Sequence, residues 1–121
     1  NIIHYHGTVA DTRPYIARCT AVVLPSYREG LPRVMLEGMS MAKPLIATDV
    51  PGCRETVVHL SNGYLVKAKD TVELSAAMLR LLTLTHSEHA SMGQSGRQLA
   101  LRRFSEEAIV STYLELIQQL T

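Results

Sequence analysis

Two short apolar runs without alternation, Ala21 to Leu24 (A-V-V-L) and Leu45 to Thr48 (L-I-A-T), bracket a segment that reads as a single short helix. A run with no polar face must be covered on both sides, as a central strand of a parallel sheet is. Strand, helix, strand with short links is a crossover unit, which predicts an α/β fold of parallel sheet flanked by helices. Pro25 ends the first strand, and Gly30-Leu31-Pro32 forms a turn. Pro32 suits the first helical position, where no N–H is needed. From Arg33 to Ala42, Met35, Met39 and Ala42 recur on one face with Val34, Gly38 and Met41 alongside, while Arg33, Glu37 and Ser40 fall opposite.

This layout carries a candidate site. A strand, a loop ending in glycine and a Pro-opened helix together aim free N–H groups and the positive end of the helix at one place, which favours an anion. Glu29 lies in the loop and Glu37 on the outward helix face, separated by seven residues. Both carboxylates can face a cleft at the carboxyl end of the strand, where open α/β sheets bind ligands. The same spacing also fits a plainer reading, in which Arg33 and Glu37 are an i, i+4 ion pair on a solvated surface.

The remaining chain extends the pattern. Asn1 to His6 reads as a short strand with Ile2 and Ile3 buried, ended by Gly7. The loop Thr8 to Asp11 follows, and Asp11 or Thr12 can cap a helix running to about Arg18, with Pro14 in its first turn. Asp49 to Arg54 is a loop, and Glu55 to Leu60 has room for a helical turn. Asn62-Gly63 signals a turn before a short strand, Tyr64 to Val66. The capping-box pattern Asp70 to Glu73 opens a helix to about Leu84, with Val72, Ala76, Leu79 and Leu82 sharing a face. A second box, Thr85 to Glu88, opens a helix to about Arg103. Ser105 caps the last helix, with Glu106 and Glu107 in its first turn and Ile109, Tyr113, Leu116 and Leu120 striping it.

Composition excludes several classes. A chain of 121 residues is enough for one domain, residues 1–121. The formal net charge is +1 with few aromatics, which argues against nucleic-acid binding. No apolar run approaches the ~20 residues of a membrane span. Cys19 and Cys53 make neither a disulfide scaffold nor a zinc site and read as reduced thiols of a cytosolic protein. His4 and His6 share strand spacing, and His86 and His89 stand i, i+3, but neither pair has a third metal ligand. Arg97, Arg102 and Arg103 are too few to define a lipid surface without an exposed apolar face. There is no Walker loop and no G-x-S-x-G.

From Pro25 to Glu55 the chain reads P-S-Y-R-E-G-L-P-R-V-M-L-E-G-M-S-M-A-K-P-L-I-A-T-D-V-P-G-C-R-E. This closely resembles the signature of retaining family 4 glycosyltransferases, which have the GT-B fold. The match takes in both glutamates, Pro25-Ser26, Gly30, Pro44 and Ala47-Thr48, and continues weakly to Asn62 through Val66 and to Phe104-Ser105. Two departures stand out. Lys43 occupies a place where the family usually has Gly, a change at the helix C-terminus, and Gly38 replaces the usual Ala at a cost of about 1 kcal/mol in helix propensity.

The resemblance implies a Rossmann-like C-terminal half-domain that holds a nucleotide-sugar, a UDP-sugar above others. Glu29 would be the catalytic carboxylate, accepting from hydroxyls of the transferred hexose, and Glu37 would accept from the ribose hydroxyls. Gly30, Leu31 and Arg33 would bind the donor through backbone N–H groups, with Gly30 permitting close approach. Thr8 and Val9 would border the base, unless their loop is only a βα connection. No metal and no cofactor are implied. The family's phosphate-binding Arg and Lys would lie upstream of Asn1, and the acceptor, a glycan or lipid-linked glycan, would be held mainly by a separate N-terminal domain. The chain thus reads as a piece of a longer protein, lacking transferase activity by itself. The full-length protein is expected in the cytoplasm, peripherally associated with the inner face of the membrane, as bacterial enzymes of capsule or O-antigen assembly are. Two other readings use the same residues: a GT-B nucleotide-sugar epimerase, marked by a free epimer as product, and a non-catalytic binding domain, marked by loss of Glu29 or Glu37.

Overall fold

The computed structural model describes residues 2–121. Its centre is a fully buried strand, β2 (Leu45–Thr48). It pairs in parallel with β1 (Val22–Leu24) on one side and β3 (Gly63–Val66) on the other, in the order β1-β2-β3. Val23 stands opposite Ile46, and Ile46 opposite Tyr64. Leu45 and Ala47 enter one apolar cluster and Ile46 a second, so the strand is covered on both faces, as its unalternating composition predicts.

Helix α2 (Arg33–Ser40) joins β1 to β2 and packs on the first face with α1 (Arg13–Arg18) and α4 (His86–Arg103). Met35 and Met39 are fully buried, as is Cys53, and they cluster with the buried Ile16, Val57 and Leu99. On the second face, α3 (Thr71–Leu82) contributes Ala77 and Leu81, packed with Tyr64, Val66 and Met92. Helix α5 (Glu106–Leu120) follows α4.

Several expectations are corrected. The strand expected over Asn1 to His6 is absent where it is described: residues 2–6 have no regular structure, and Ile2 and Ile3 are exposed. Asn1 lies outside the described residues. β-Branched residues favour a strand only where a neighbouring strand pairs with them, and among the described residues β1 pairs with β2 alone. The turn expected after Glu55 comes earlier, as a 3-10 turn at Cys53–Glu55. In α3 the predicted stripe faces outward: Val72, Leu79 and Leu82 are exposed, and the buried positions are Ala77 and Leu81 with Leu74 half-buried. This helix is apolar nearly all round, so periodicity alone does not choose its inner face. In α5 the stripe Ile109, Tyr113, Leu116 and Leu120 is exposed, and no residue of that helix is buried.

The end of α2 also differs. The left-handed residue is Ala42, with φ of 55°; Lys43 follows it. The Lys43 N–H donates to the Gly38 carbonyl at 2.9 Å and the Ala42 N–H to the Met39 carbonyl at 3.0 Å, which together are a Schellman termination. The position that calls for glycine is therefore 42. Pro32 precedes the helix as its N-cap, with ψ of 116°. Its carbonyl accepts the first helical bonds from Met35 and Leu36. Gly38 has a packing reason: a Cβ there would lie 2.9 Å from Val22 Cγ2 and 3.0 Å from Leu45 Cδ2.

The capping predictions hold for α4 and α5. Thr85 and Glu88 complete a reciprocal box, and the Ser105 hydroxyl accepts from Ala108 N–H. For α3, Asp70 accepts from Glu73 N–H, but the Glu73 carboxylate takes the Lys67 N–H at 3.0 Å, so only half the box forms.

Candidate functional site

The loop between β1 and α2 is fixed from three sides. The Ser26 hydroxyl donates to Glu29 Oε1 at 2.7 Å. The Ser26 carbonyl in turn accepts from the Thr48 hydroxyl at the end of β2. From the following loop, Gly52 adopts φ of 86°, and a Cβ there would lie 1.6 Å from the Gly30 carbonyl oxygen. Only glycine permits both that conformation and that approach. Glu29 thus sits half-buried at the carboxyl end of the sheet with one oxygen committed to Ser26. Beneath it lies Cys53, fully buried. Burial pushes this thiol above its ordinary pKa, a hydrogen bond with Thr48 works against that, and the negative charge of Glu29 adds to the rise. Such a thiol is a packed neighbour of the loop rather than a nucleophile.

Glu37 is held differently. Its Oε2 accepts from the Thr12 hydroxyl at 2.8 Å. Its Oε1 pairs with Arg33 Nε at 3.3 Å; the Glu37 side chain is 30% exposed and that of Arg33 92% exposed. The ion pair of the plainer reading therefore exists, but one partner is almost wholly solvated, and such pairs contribute about 0–1 kcal/mol. The half-buried bond to Thr12 is the firmer anchor. At the start of α1 the Thr12 side chain makes no capping bond, and the Arg13 N–H donates to Asp11 Oδ1 at 3.0 Å. Arg13 also forms a side-chain hydrogen bond and ion pair with Asp11, which lowers the pKa of that carboxyl.

Of the predicted donor-binding residues, Gly30 and Leu31 are exposed in the loop, and Arg33 opens α2. The Arg33 and Val34 N–H groups precede the first helical bond and have no partner within the helix. Glu29 and Glu37 share no hydrogen-bond partner among the described residues. Thr8 is exposed and Val9 half-buried. Among the described residues neither bonds to a glutamate, and their loop reaches the site through Thr12 at its end. Sequence reasoning gave no role to Ser26 or Thr48 and only a capping role to Thr12. The available signal for Ser26 was its place three residues before Glu29, a spacing short hydroxyl side chains bridge readily; for Thr12 and Thr48 no local signal exists.

A cleft of about 220 Å³ opens at the carboxyl ends of all three strands, lined by Pro25, Tyr27, Thr48, Val66 and Lys69 among others. A larger concavity, about 680 Å³, lies elsewhere, between α3 and α4 near Ser61 and Tyr64. Among the described residues no two side chains of its lining are joined by a hydrogen bond or ion pair as Ser26 and Glu29 are, so size does not make it the site. Among the described residues no three His, Cys, Asp or Glu side chains gather as a metal-binding group.

Glu29 and Glu37 thus stand, separately anchored, on one loop–helix unit at the carboxyl end of a parallel sheet, and comparison with known proteins gives the family. Residues 1–84 match the family model described as glycosyl transferases group 1, and the chain belongs to that family. It is 31% identical over 114 residues to the N,N'-diacetylbacillosaminyl-diphospho-undecaprenol alpha-1,3-N-acetylgalactosaminyltransferase of Campylobacter jejuni, covering 94% of this chain and 30% of that protein. Among solved structures, sucrose-phosphate synthase from Thermosynechococcus elongatus superposes with a TM-score of 0.79 at 31% identity, over 90% of this chain and 27% of that one. HepE from Anabaena in complex with UDP gives 0.82 at 27% identity, over 92% and 30%. The chain thus spans about 30% of the length of these relatives, and the expected parallel sheet flanked by helices is that of GT-B glycosyltransferases.

Proposed function

We propose that this chain is the donor-binding C-terminal part of a retaining glycosyltransferase that moves a sugar from a UDP-sugar to a glycan or lipid-linked acceptor. The observation that carries the reading is the separate anchoring of two carboxylates on one loop–helix unit, Glu29 by Ser26 and Glu37 by Thr12. The complex of HepE with UDP supports the choice of donor. The diphospho-undecaprenol acceptor in the name of the Campylobacter jejuni relative supports the choice of acceptor.

In this reading Glu37 accepts hydrogen bonds from the two ribose hydroxyls and fixes the nucleoside. Glu29 accepts from hydroxyls of the transferred hexose and fixes its anomeric carbon relative to the diphosphate. The free N–H groups at the start of α2, with Gly30 and Leu31 before them, donate to sugar or phosphate oxygens as charge develops on the leaving diphosphate. Thr8 and Val9 border the base. No metal or other cofactor takes part. Glycosyl transfer breaks the anomeric C–O bond to the diphosphate and forms one to the acceptor oxygen, which the rest of the protein presents. Among the described residues no helix is long and apolar enough to cross a membrane. We place the full-length protein in the cytoplasm at the inner face of the membrane, peripherally associated, where a lipid-linked acceptor is reached.

The test is Glu37→Gln in the full-length protein, which keeps the shape and removes the charge. Hydrogen bonds to charged groups contribute about 1.5–3 kcal/mol, so donor affinity should fall roughly 10- to 100-fold without loss of fold. A nucleotide-sugar panel with free nucleotide and glycosylated product both measured completes it. Unchanged donor affinity would return Glu37 to a surface pair with Arg33, and a free epimer with no glycosylated acceptor would replace the transferase by an epimerase.

A further inference from the structure

The Thr12–Glu37 bond joins two parts of the chain that sequence alone keeps separate: the end of the Thr8–Asp11 loop and the outward face of α2. We infer that Thr12 is a positioning residue for donor binding, which locks the Glu37 carboxylate for the ribose and ties the loop bordering the base to it. This rests on the ribose role proposed for Glu37.

Three observations carry it. First, the Thr12 hydroxyl stands at the N-cap of α1 yet makes no capping bond there: Pro14 has no N–H to offer, and the Tyr15 N–H goes to the Thr12 carbonyl. The hydroxyl proton is instead donated to a carboxylate 25 residues away, so the side chain serves a long-range contact and not the local one usual at such a position. Second, the remaining restraint on Glu37, Arg33, is 92% exposed. A flexible, solvated guanidinium does not fix a carboxylate rotamer, whereas a half-buried hydroxyl at 2.8 Å does. Third, the bond uses one lone pair of one oxygen. An ionised carboxylate has about four acceptor sites, so a ribose diol can be taken up while Thr12 stays bound. The carboxylate is then held in place before the ligand arrives, and its ordering entropy is not charged to binding.

Thr12→Val removes the hydroxyl and keeps the shape; Thr12→Ser keeps the hydroxyl; Thr12→Ala is a second removal should the valine variant fold poorly. Affinities for UDP and 2′-deoxy-UDP are measured by calorimetry on the full-length protein, in both the native and the Glu37→Gln backgrounds, with melting temperatures alongside. The expected result is a loss of about three- to tenfold for UDP in Thr12→Val, a smaller loss for the deoxy ligand, which keeps only the 3′-hydroxyl for Glu37, recovery in Thr12→Ser, and no further loss when added to Glu37→Gln. If Glu37→Gln weakens UDP while Thr12→Val binds as the native protein does, the positioning role is overturned and the ribose role stands. Equal losses for both nucleotides in Thr12→Val and Thr12→Ser, with a lowered melting temperature, would show a structural role only and also overturn it. If Glu37→Gln itself binds UDP normally, the ribose role fails and this inference with it.

Discussion

Ala42 carries the left-handed backbone that ends α2, at φ of 55°, and a residue with a Cβ pays about 1–2 kcal/mol for that conformation. Glycine would remove most of the cost while losing part of it again through a freer unfolded chain. Ala42→Gly should therefore stabilise the protein by about 0.5–1 kcal/mol, read as a rise in the urea midpoint with unchanged slope; a fall would mean that the Schellman bonds to Gly38 and Met39 do not set the end of the helix. The neighbouring Gly38 shows the opposite balance. Alanine there would gain about 1 kcal/mol of helix propensity but would press on Val22 and Leu45 at 2.9–3.0 Å. At this scale the sequence told chemistry better than contacts. The two glutamates were legible because a loop glutamate and a helix glutamate at that spacing resemble a family signature. Ser26, Thr12 and Thr48 were not, since their value lies in partners that only the folded chain brings near.

Helix α4 approaches α2 at backbone distance, and Gly93 makes that approach possible. A Cβ at 93 would lie 2.0 Å from the Ala42 carbonyl oxygen. Backbone cannot step aside as a flexible side-chain tip can, and overpacking of this kind typically costs 1–3 kcal/mol. Gly93→Ala should cost about 3 kcal/mol and lower the melting temperature by roughly 10 °C or more, with the loss concentrated where α4 meets the turn that ends α2; an unchanged melting temperature would show that this packing can shift freely. Because α2 carries Glu37, the same variant should disturb the donor site at a distance. Helix starts were legible: Asp70, Thr85 and Ser105 all cap as their spacing predicts, because a cap is a local event within four residues. Helix faces were less so. In α3 both the inner stripe of Leu74, Ala77 and Leu81 and the outer one of Val72, Leu79 and Leu82 are apolar, so only docking against β3 selects between them. The first strand failed for a related reason: Ile2 and Ile3 have strand chemistry but no strand beside them.

As a whole molecule, the chain holds a sheet covered on both faces, with its candidate site at the carboxyl end. The sheet is packed on both faces, by Met35, Met39 and Leu99 on one and Tyr64, Ala77 and Leu81 on the other, and no buried side-chain polar atom among the described residues lacks a hydrogen-bond partner. The chain expressed alone should therefore fold. The donor is a different matter. The cations flanking the glutamate loop in sequence are Arg28 and Arg33, and Lys67 and Lys69 line the cleft at the strand ends; all four are exposed, and Arg33 is already paired with Glu37. Exposed charges contribute about 0–1 kcal/mol each, whereas buried or well-ordered charge-assisted contacts contribute about 1.5–3 kcal/mol. A diphosphate met only by the former, with the free N–H groups of α2, should be held weakly. On the proposed reading, a full-length protein that adds two charge-assisted contacts to the diphosphate should bind UDP and UDP-sugars roughly a few hundredfold or more tightly than the isolated chain. On the same reading, in which the rest of the protein presents the acceptor oxygen, the isolated chain should show no transfer. Chemical-shift perturbation on the isolated chain decides this: weak shifts confined to Thr8–Thr12, Glu29–Leu31 and Glu37 are expected. Micromolar binding would show that Glu29, Glu37 and the start of α2 suffice for the diphosphate, and that no further basic pair is needed.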